Sequence, residues 1–306
     1  MNSSFKNFYT KFYLSTSGYL PSKPLIHSMF PGDFFQIRNG EIIMLGNIFR
    51  HSMVDRDRCK FGYGIKLNPS GWHLSDGLSK PYSGRGSGEG VLEGEFEFSR
   101  QILSFSKRGS FFFKGNDPES VKILNWNELQ QELIIKLTQT YYSFRELYLV
   151  TECATAANWT LAISGAEKAE LEIATRSDNF GLVDLFGHHE ARTVQSKDIE
   201  YYHREHTRKP CFFKAKKLVV QDNKLDIFIN ELIHARENRN QWAGDFYDYD
   251  FHYEDSYSTD IPTYARASLL DMLPANELNP NTALLYFKWS DANLDDIEKL
   301  FAPYGY

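Results

Sequence analysis

The chain predicts an α+β fold: a twisted, mainly antiparallel sheet with flanking helices and a smaller acidic, aromatic C-terminal region. Three observations carry that prediction. Aromatic residues make up 15% of the 306 residues, including 24 Phe and 18 Tyr, and aromatic side chains favour pleated, half-buried surfaces. Several segments alternate apolar and polar residues with period two, as strands do. A few others repeat apolar residues at helical spacing. A composition of 42% hydrophobic and 24% charged residues is that of a globular protein able to bury a sizeable core.

Taken along the chain, Phe5, Phe8, Tyr9, Phe12 and Tyr13 recur at helical spacing and predict a short amphipathic helix over 5–14, stopped by Gly18 and Pro21. A hairpin follows. Its strands are Phe34-Phe35-Gln36-Ile37 and Glu41 to Leu45, joined by Asn39-Gly40, because a type I′ turn needs positive φ at both central positions. Residues 62–90 are rich in Gly, Ser and Pro and read as a mobile connection. The alternating Gly84, Gly86, Gly88 and Gly90 lack the Gly-Lys-Ser/Thr of a phosphate loop. Strand-like alternation resumes over 91–113, and Asp117-Pro118 marks a turn.

Asn125 is placed to cap a helix in which Trp126, Leu129, Leu133, Lys136 and Leu137 form a stripe, with Ile134 beside it. After Phe144 the period switches to two. Leu147 to Glu152 is a strand. Trp159, Leu161 and Ile163 are expected to face one way and Thr160, Ala162 and Ser164 the other. Gly165-Ala166 turns the chain into a further strand with Leu171 and Ile173 on one face. A helix is expected from Leu225 to Arg239 and another near Leu294 to Phe301. The composition change near 240 divides the chain into 1–240 and 241–306.

A net charge of −6 argues against a dedicated nucleic-acid binder, which needs a basic face to displace counterions. Cys59, Cys153 and Cys211 are too few and too scattered for a disulfide framework or a Cys-x-x-Cys metal site. Residues 1–20 contain no apolar core of a signal peptide, and no apolar run is long enough for a transmembrane helix. A cytoplasmic protein is expected.

The order of the elements is itself informative. A Trp-led helix (Trp126, Leu129) precedes a strand ending Val150-Thr151-Glu152, then paired alternating strands, then Phe213-Lys214-Ala215-Lys216-Lys217-Leu218. Together with Gly18-Tyr19, Pro24-Leu25 and Leu45-Gly46, this order resembles the pore-forming domain of bacterial gasdermins over roughly residues 5–220. The resemblance implies a soluble, autoinhibited protein. Release of a C-terminal segment would let paired strands lengthen into hairpins and oligomerise into a membrane β-barrel pore, in the service of cell-suicide defence. It implies an anionic membrane, further copies of the chain and an activating protease as partners, with no cofactor and no catalytic residues. The chain differs from bacterial members in having its first cysteine at Cys59 and a longer tail after the second helix.

Three residue sets follow. Trp159, Leu161, Ile163, Leu171 and Ile173 are the membrane-strand candidates, since a spanning strand needs about 9–11 alternating residues. Arg204, Arg208, Lys209, Lys214, Lys216 and Lys217 are lipid-headgroup candidates, each worth about 1 kcal/mol near an anionic surface. The ordinary reading of that run is the solvated face of an edge strand, where lysine discourages aggregation. Asp245, Asp248, Asp250, Glu254 and Asp255, interleaved with Phe and Tyr, are the expected inhibitory cover. The ordinary reading here is a solvated tyrosine-rich loop.

Two rival classes remain open. The acidic tyrosine-rich segment suits a protein-binding module. His188-His189-Glu190 and His203-Arg204-Glu205-His206 suggest a metal-dependent hydrolase if His203 and His206 share a helical face, although no His-Glu-x-x-His is present. Among the thiols, Glu152 beside Cys153 disfavours its thiolate, and Cys211 lies nearer to cations.

Overall fold

The computed structural model describes residues 2–89, 95–138, 147–176, 192–221, 224, 227 and 280–302. Four helices are described: α1 (Asn2–Ser15), α2 (Trp126–Thr138), α3 (Pro280–Tyr286) and α4 (Leu294–Phe301). The strands are β1 (Leu20–Pro21), β2 (Asp33–Arg38), β3 (Glu41–Asn47), β4 (Phe61–Lys66), β5 (His73–Asp76), β6 (Leu78–Glu89), β7 (Glu95–Phe105) and β8 (Phe111–Asn116). They continue as β9 (Glu119–Ile123), β10 (Leu147–Thr155), β11 (Asn158–Ser164), β12 (Glu170–Arg176), β13 (Arg192–Lys197), β14 (Ile199–Glu205), β15 (Phe212–Val220) and β16 (Phe287–Asp291). Among the described residues all the strand pairings are antiparallel, so the architecture is α+β, with curled antiparallel sheets and a C-terminal helix.

The central sheet is built on β10 and β15. The first half of β10 pairs with β2 and its second half with β9, while β15 runs along its other edge. The outer edge of β15 is shared by β1 at Phe212–Phe213 and β16 at Lys216–Val220. The last described strand is therefore built into the sheet of the first 220 residues. One face carries α1 and α4 over a core containing Phe8, Phe12, Tyr148, Phe212 and Ile297; the other carries α2 and α3 over Leu133, Leu149 and Tyr286.

The Asn39-Gly40 hairpin forms as predicted, with φ of 52° and 76° at the two turn residues and Arg38 opposite Glu41. The stripe of α2 holds at its leucines: Leu129, Leu133 and Leu137 are buried with Ile134 beside them, while Trp126 is half-buried and Lys136 is exposed. Asn125 does a different job from the one expected. Its side chain accepts from the Lys60 amide (2.9 Å) and donates to the Arg58 carbonyl and to Glu128, stitching α2 to the turn before β4. The glycine-rich 62–90 stretch is not a loose connection, because most of it lies in β4, β5 and β6. Backbone pairing does not depend on side chains, and Gly84, Gly86 and Gly88 take ladder positions opposite Arg100, Phe98 and Phe96 of β7. The Leu225–Arg239 helix falls outside the described residues except for Ile227.

β11 turns its two sets of side chains to opposite faces as expected. From Trp159 to Ser164 every residue is buried, so neither face is wet. Trp159, Leu161 and Ile163 enter the core beneath α1, while Ala162 enters a third core with Phe112 and Leu171. A strand covered on both sides carries apolar or small residues on both of its faces.

Candidate functional site

Two four-stranded sheets run in the same order, β14-β11-β8-β5 and β13-β12-β7-β6. Each strand of one continues into its counterpart in the other. Gly77 alone joins β5 to β6, Asp198 alone joins β13 to β14, and 106–110 and 165–169 make the other two links. Each link contains a residue with positive φ: Gly77 (65°), Gly109 (76°), Lys168 (57°) and Asp198 (54°). Backbone hydrogen bonds cross the corner between neighbours, from Ser106 to Gly77, Gly109 to Ser164, Ser164 to Ser110, and Gly165 to Asp198, at 2.7–2.9 Å. The pair is one four-stranded sheet folded along a line.

The membrane-strand candidates lie on both arms of this folded sheet. Trp159, Leu161 and Ile163 are on β11 in the core under α1; Leu171 and Ile173 are on β12 in the third core with Leu103 and Phe105. All five are essentially inaccessible to solvent. The structure does not gather them on one surface.

The basic run is likewise divided, and Arg208, Lys209, Lys214, Lys216 and Lys217 each meet an acid, a carbonyl or a ring. β15 is not the edge strand expected, because it is paired on both sides. Lys214 lies 4.5 Å from the Tyr19 ring centroid, whose hydroxyl donates to Glu152. Lys216 pairs with Asp291 (2.6 Å) at the end of β16. Lys217 donates to Asp296 of α4 (3.0 Å) and to Asn293. Arg208 bridges Asp117 and Glu119. Arg204 lies on β14, opposite Thr160. Lys209 donates to Glu205 (2.6 Å). Burial pushes the Glu205 carboxyl up, but Lys209, the Thr207 hydroxyl and the Thr207 amide outweigh it and hold the group down at about 2.

Asp296 is the most enclosed charge here. It has no exposed surface and accepts from Lys217, from the Tyr148 hydroxyl (2.7 Å) and from the Asn293 amide (2.8 Å). The last bond closes a capping box at the start of α4. The other end of α4 is held by Lys23, which donates to the Leu300 carbonyl and lies over the Phe301 ring. Sequence reasoning missed Asp291, Asp296 and Lys23. The Asn293-x-x-Asp296 spacing was the available signal, and it marks the helix start without naming Lys217 as the partner. The predicted cover residues Asp245, Asp248, Asp250, Glu254 and Asp255 lie outside the described residues.

The rival chemistry loses its geometry where it is described. His203 sits on β14, a strand, so it does not share a helical face with His206; His188 and His189 lie outside the described residues. Among the described residues no group of three metal-ligating side chains converges. All three thiols are buried: burial pushes Cys59 up to about 11 and both Cys153 and Cys211 up to about 12, with Glu152 adding to the shift at Cys153 and Glu205 at Cys211. Lys209 does not offset this at Cys211. Among the described residues, no helix is long and apolar enough to cross a membrane, which leaves strand insertion untouched. An open groove of about 510 Å³ also lies between Phe30, Phe49, Phe61 and Tyr63, edged by Arg50 and Arg56.

No protein-family model matches the chain, and a search of curated proteins gave no match either.

Proposed function

We propose that the protein is an autoinhibited pore-forming protein of the gasdermin type. Release of its C-terminal segment would let the folded four-stranded sheet open into long hairpins that assemble in an anionic membrane. One observation carries the reading: β16 and α4 close over β15 and supply the acids that neutralise Lys216 and Lys217. A segment that masks lysines and caps the sheet is what a removable restraint requires. The strand pairs joined at the corner run well past the about 9–11 residues a spanning strand needs. Closure into a barrel would satisfy every backbone group without a transmembrane helix. The protein would reside in the cytoplasm until activation, with defence by cell suicide as the biological role implied by the resemblance.

The test is flotation with vesicles after cutting a protease site inserted between residues 240 and 279. Cut protein is expected to float with anionic vesicles and show rings by electron microscopy, while uncut protein stays in solution. Cut protein that remains a soluble monomer contradicts the reading. The binding module expected of the acidic tyrosine-rich segment lies outside the described residues. A second reading is a different one, a peptide-binding groove whose aromatic walls and flanking Arg50 and Arg56 suit an acidic, aromatic peptide. A stoichiometric peptide complex without vesicle binding would favour it.

A further inference from the structure

Helix α1 touches both the C-terminal helix and the corner of the folded sheet, using two stripes of its own surface. Along one stripe, Lys6 pairs with Glu298, the Tyr9 ring packs edge-on to Phe301 at 4.9 Å, and the Tyr13 hydroxyl donates to the Ala292 carbonyl at 3.1 Å. Positions 6, 9 and 13 have the three- and four-residue spacing that aligns side chains on a helix. Along the other, Ser4 donates to Glu200 (3.1 Å), Asn7 donates to Asp76 (3.0 Å) and Lys11 pairs with the same Asp76 (3.0 Å). Phe5 packs against Tyr201 and Phe8 against Phe111.

Those partners cluster at the corner. Asp76 immediately precedes Gly77, Glu200 is two residues past Asp198, and Phe111 is two residues past Gly109. Gly109 itself lies beneath Ser4: a Cβ built there would be 3.6 Å from the Ser4 Cβ. One short helix thus touches three of the four strands where they bend, and a hydrogen-bonded helix moves as a unit over this length.

We infer that α1 is a strut that holds the corner closed and transmits the state of α4 to it. With α4 seated, the helix is pinned along one stripe and its other stripe braces the bend. With α4 displaced, the strut loses Glu298, Phe301 and the Ala292 carbonyl together, and the corner loses its brace. The inference rests on the pore reading only for its consequence at a membrane. The coupling itself exists in water and is read there.

The test is native-state hydrogen exchange on the full chain, without lipid. Phe301→Ala and, separately, Glu298→Lys loosen α4. Either is expected to speed exchange of the Ser106, Gly109, Ser164 and Gly165 amides about tenfold, while the β10–β15 amides keep their protection. Leu14→Ala, at an exposed α1 position outside these contacts, is the control and should leave corner exchange unchanged. Corner amides that ignore the α4 substitutions would overturn the inference. So would a rise shared equally by β10 and β15, or the same acceleration from Leu14→Ala. Failure of vesicle flotation alongside a coupled corner would reject the pore and keep the strut.

Discussion

Asp296 shows how much of the fold depends on one carboxylate. An ion buried with no exposed surface is tolerated only when every lone pair is engaged, and Lys217, Tyr148 and the Asn293 amide supply the partners. Asp296→Ala leaves the Lys217 ammonium facing an empty, mostly dry site. It is expected to cost about 3 kcal/mol in urea unfolding, since removing one partner of a buried pair is worse than removing both. Replacing both, with Lys217→Met and Asp296→Leu, should recover most of that loss. Glu205 gives a pH-dependent counterpart. Its folded pKa lies below the unfolded value, so its contribution is full above about pH 4.5 and is lost as pH falls through about 2. Glu205→Gln should therefore be less stable than the parent at pH 7, by the order of 1 kcal/mol, and the gap should close on titration towards pH 2. A gap that widens in acid would reverse the sign and the argument.

Among the elements, α1 is amphipathic with a sharp boundary between its faces. Phe12 is fully buried against Trp72, Phe113 and Phe212, whereas Leu14 is 61% exposed. Phe12→Ala is expected to cost about 3–5 kcal/mol and Leu14→Ala less than about 0.5 kcal/mol, by thermal or denaturant unfolding. What was legible in the sequence was local. The Asn39-Gly40 hairpin follows from two residues that tolerate positive φ, the α2 stripe from its spacing, and the α4 boundaries from its apolar run. What was not legible was set by distant neighbours. β11 has no wet face because α1 covers one side and β12's core the other, which its own alternation does not reveal. The Gly-rich β6 was misread because its partner strand, not its own side chains, makes it a strand. The basic run gave no hint that β16 would arrive from some seventy residues downstream to pair with it.

At the scale of the whole molecule, charge and topology converge on the same C-terminal segment. The central sheet is completed by a strand from the far end of the chain, and the helix after it rests on α1, which rests on the corner of the folded sheet. The tail, the strut and the bend form one mechanical series, with the lysines of β15 covered at its head. The direct measurement is release of a trapped dye from vesicles containing anionic lipid, comparing full-length protein before and after cutting between residues 240 and 279. The account predicts sealed vesicles with the uncut chain and rapid release once it is cut, with Asp296→Ala leaking at lower protease doses than the parent. Vesicles that stay sealed while the cut chain remains folded and has shed its terminal piece would contradict it.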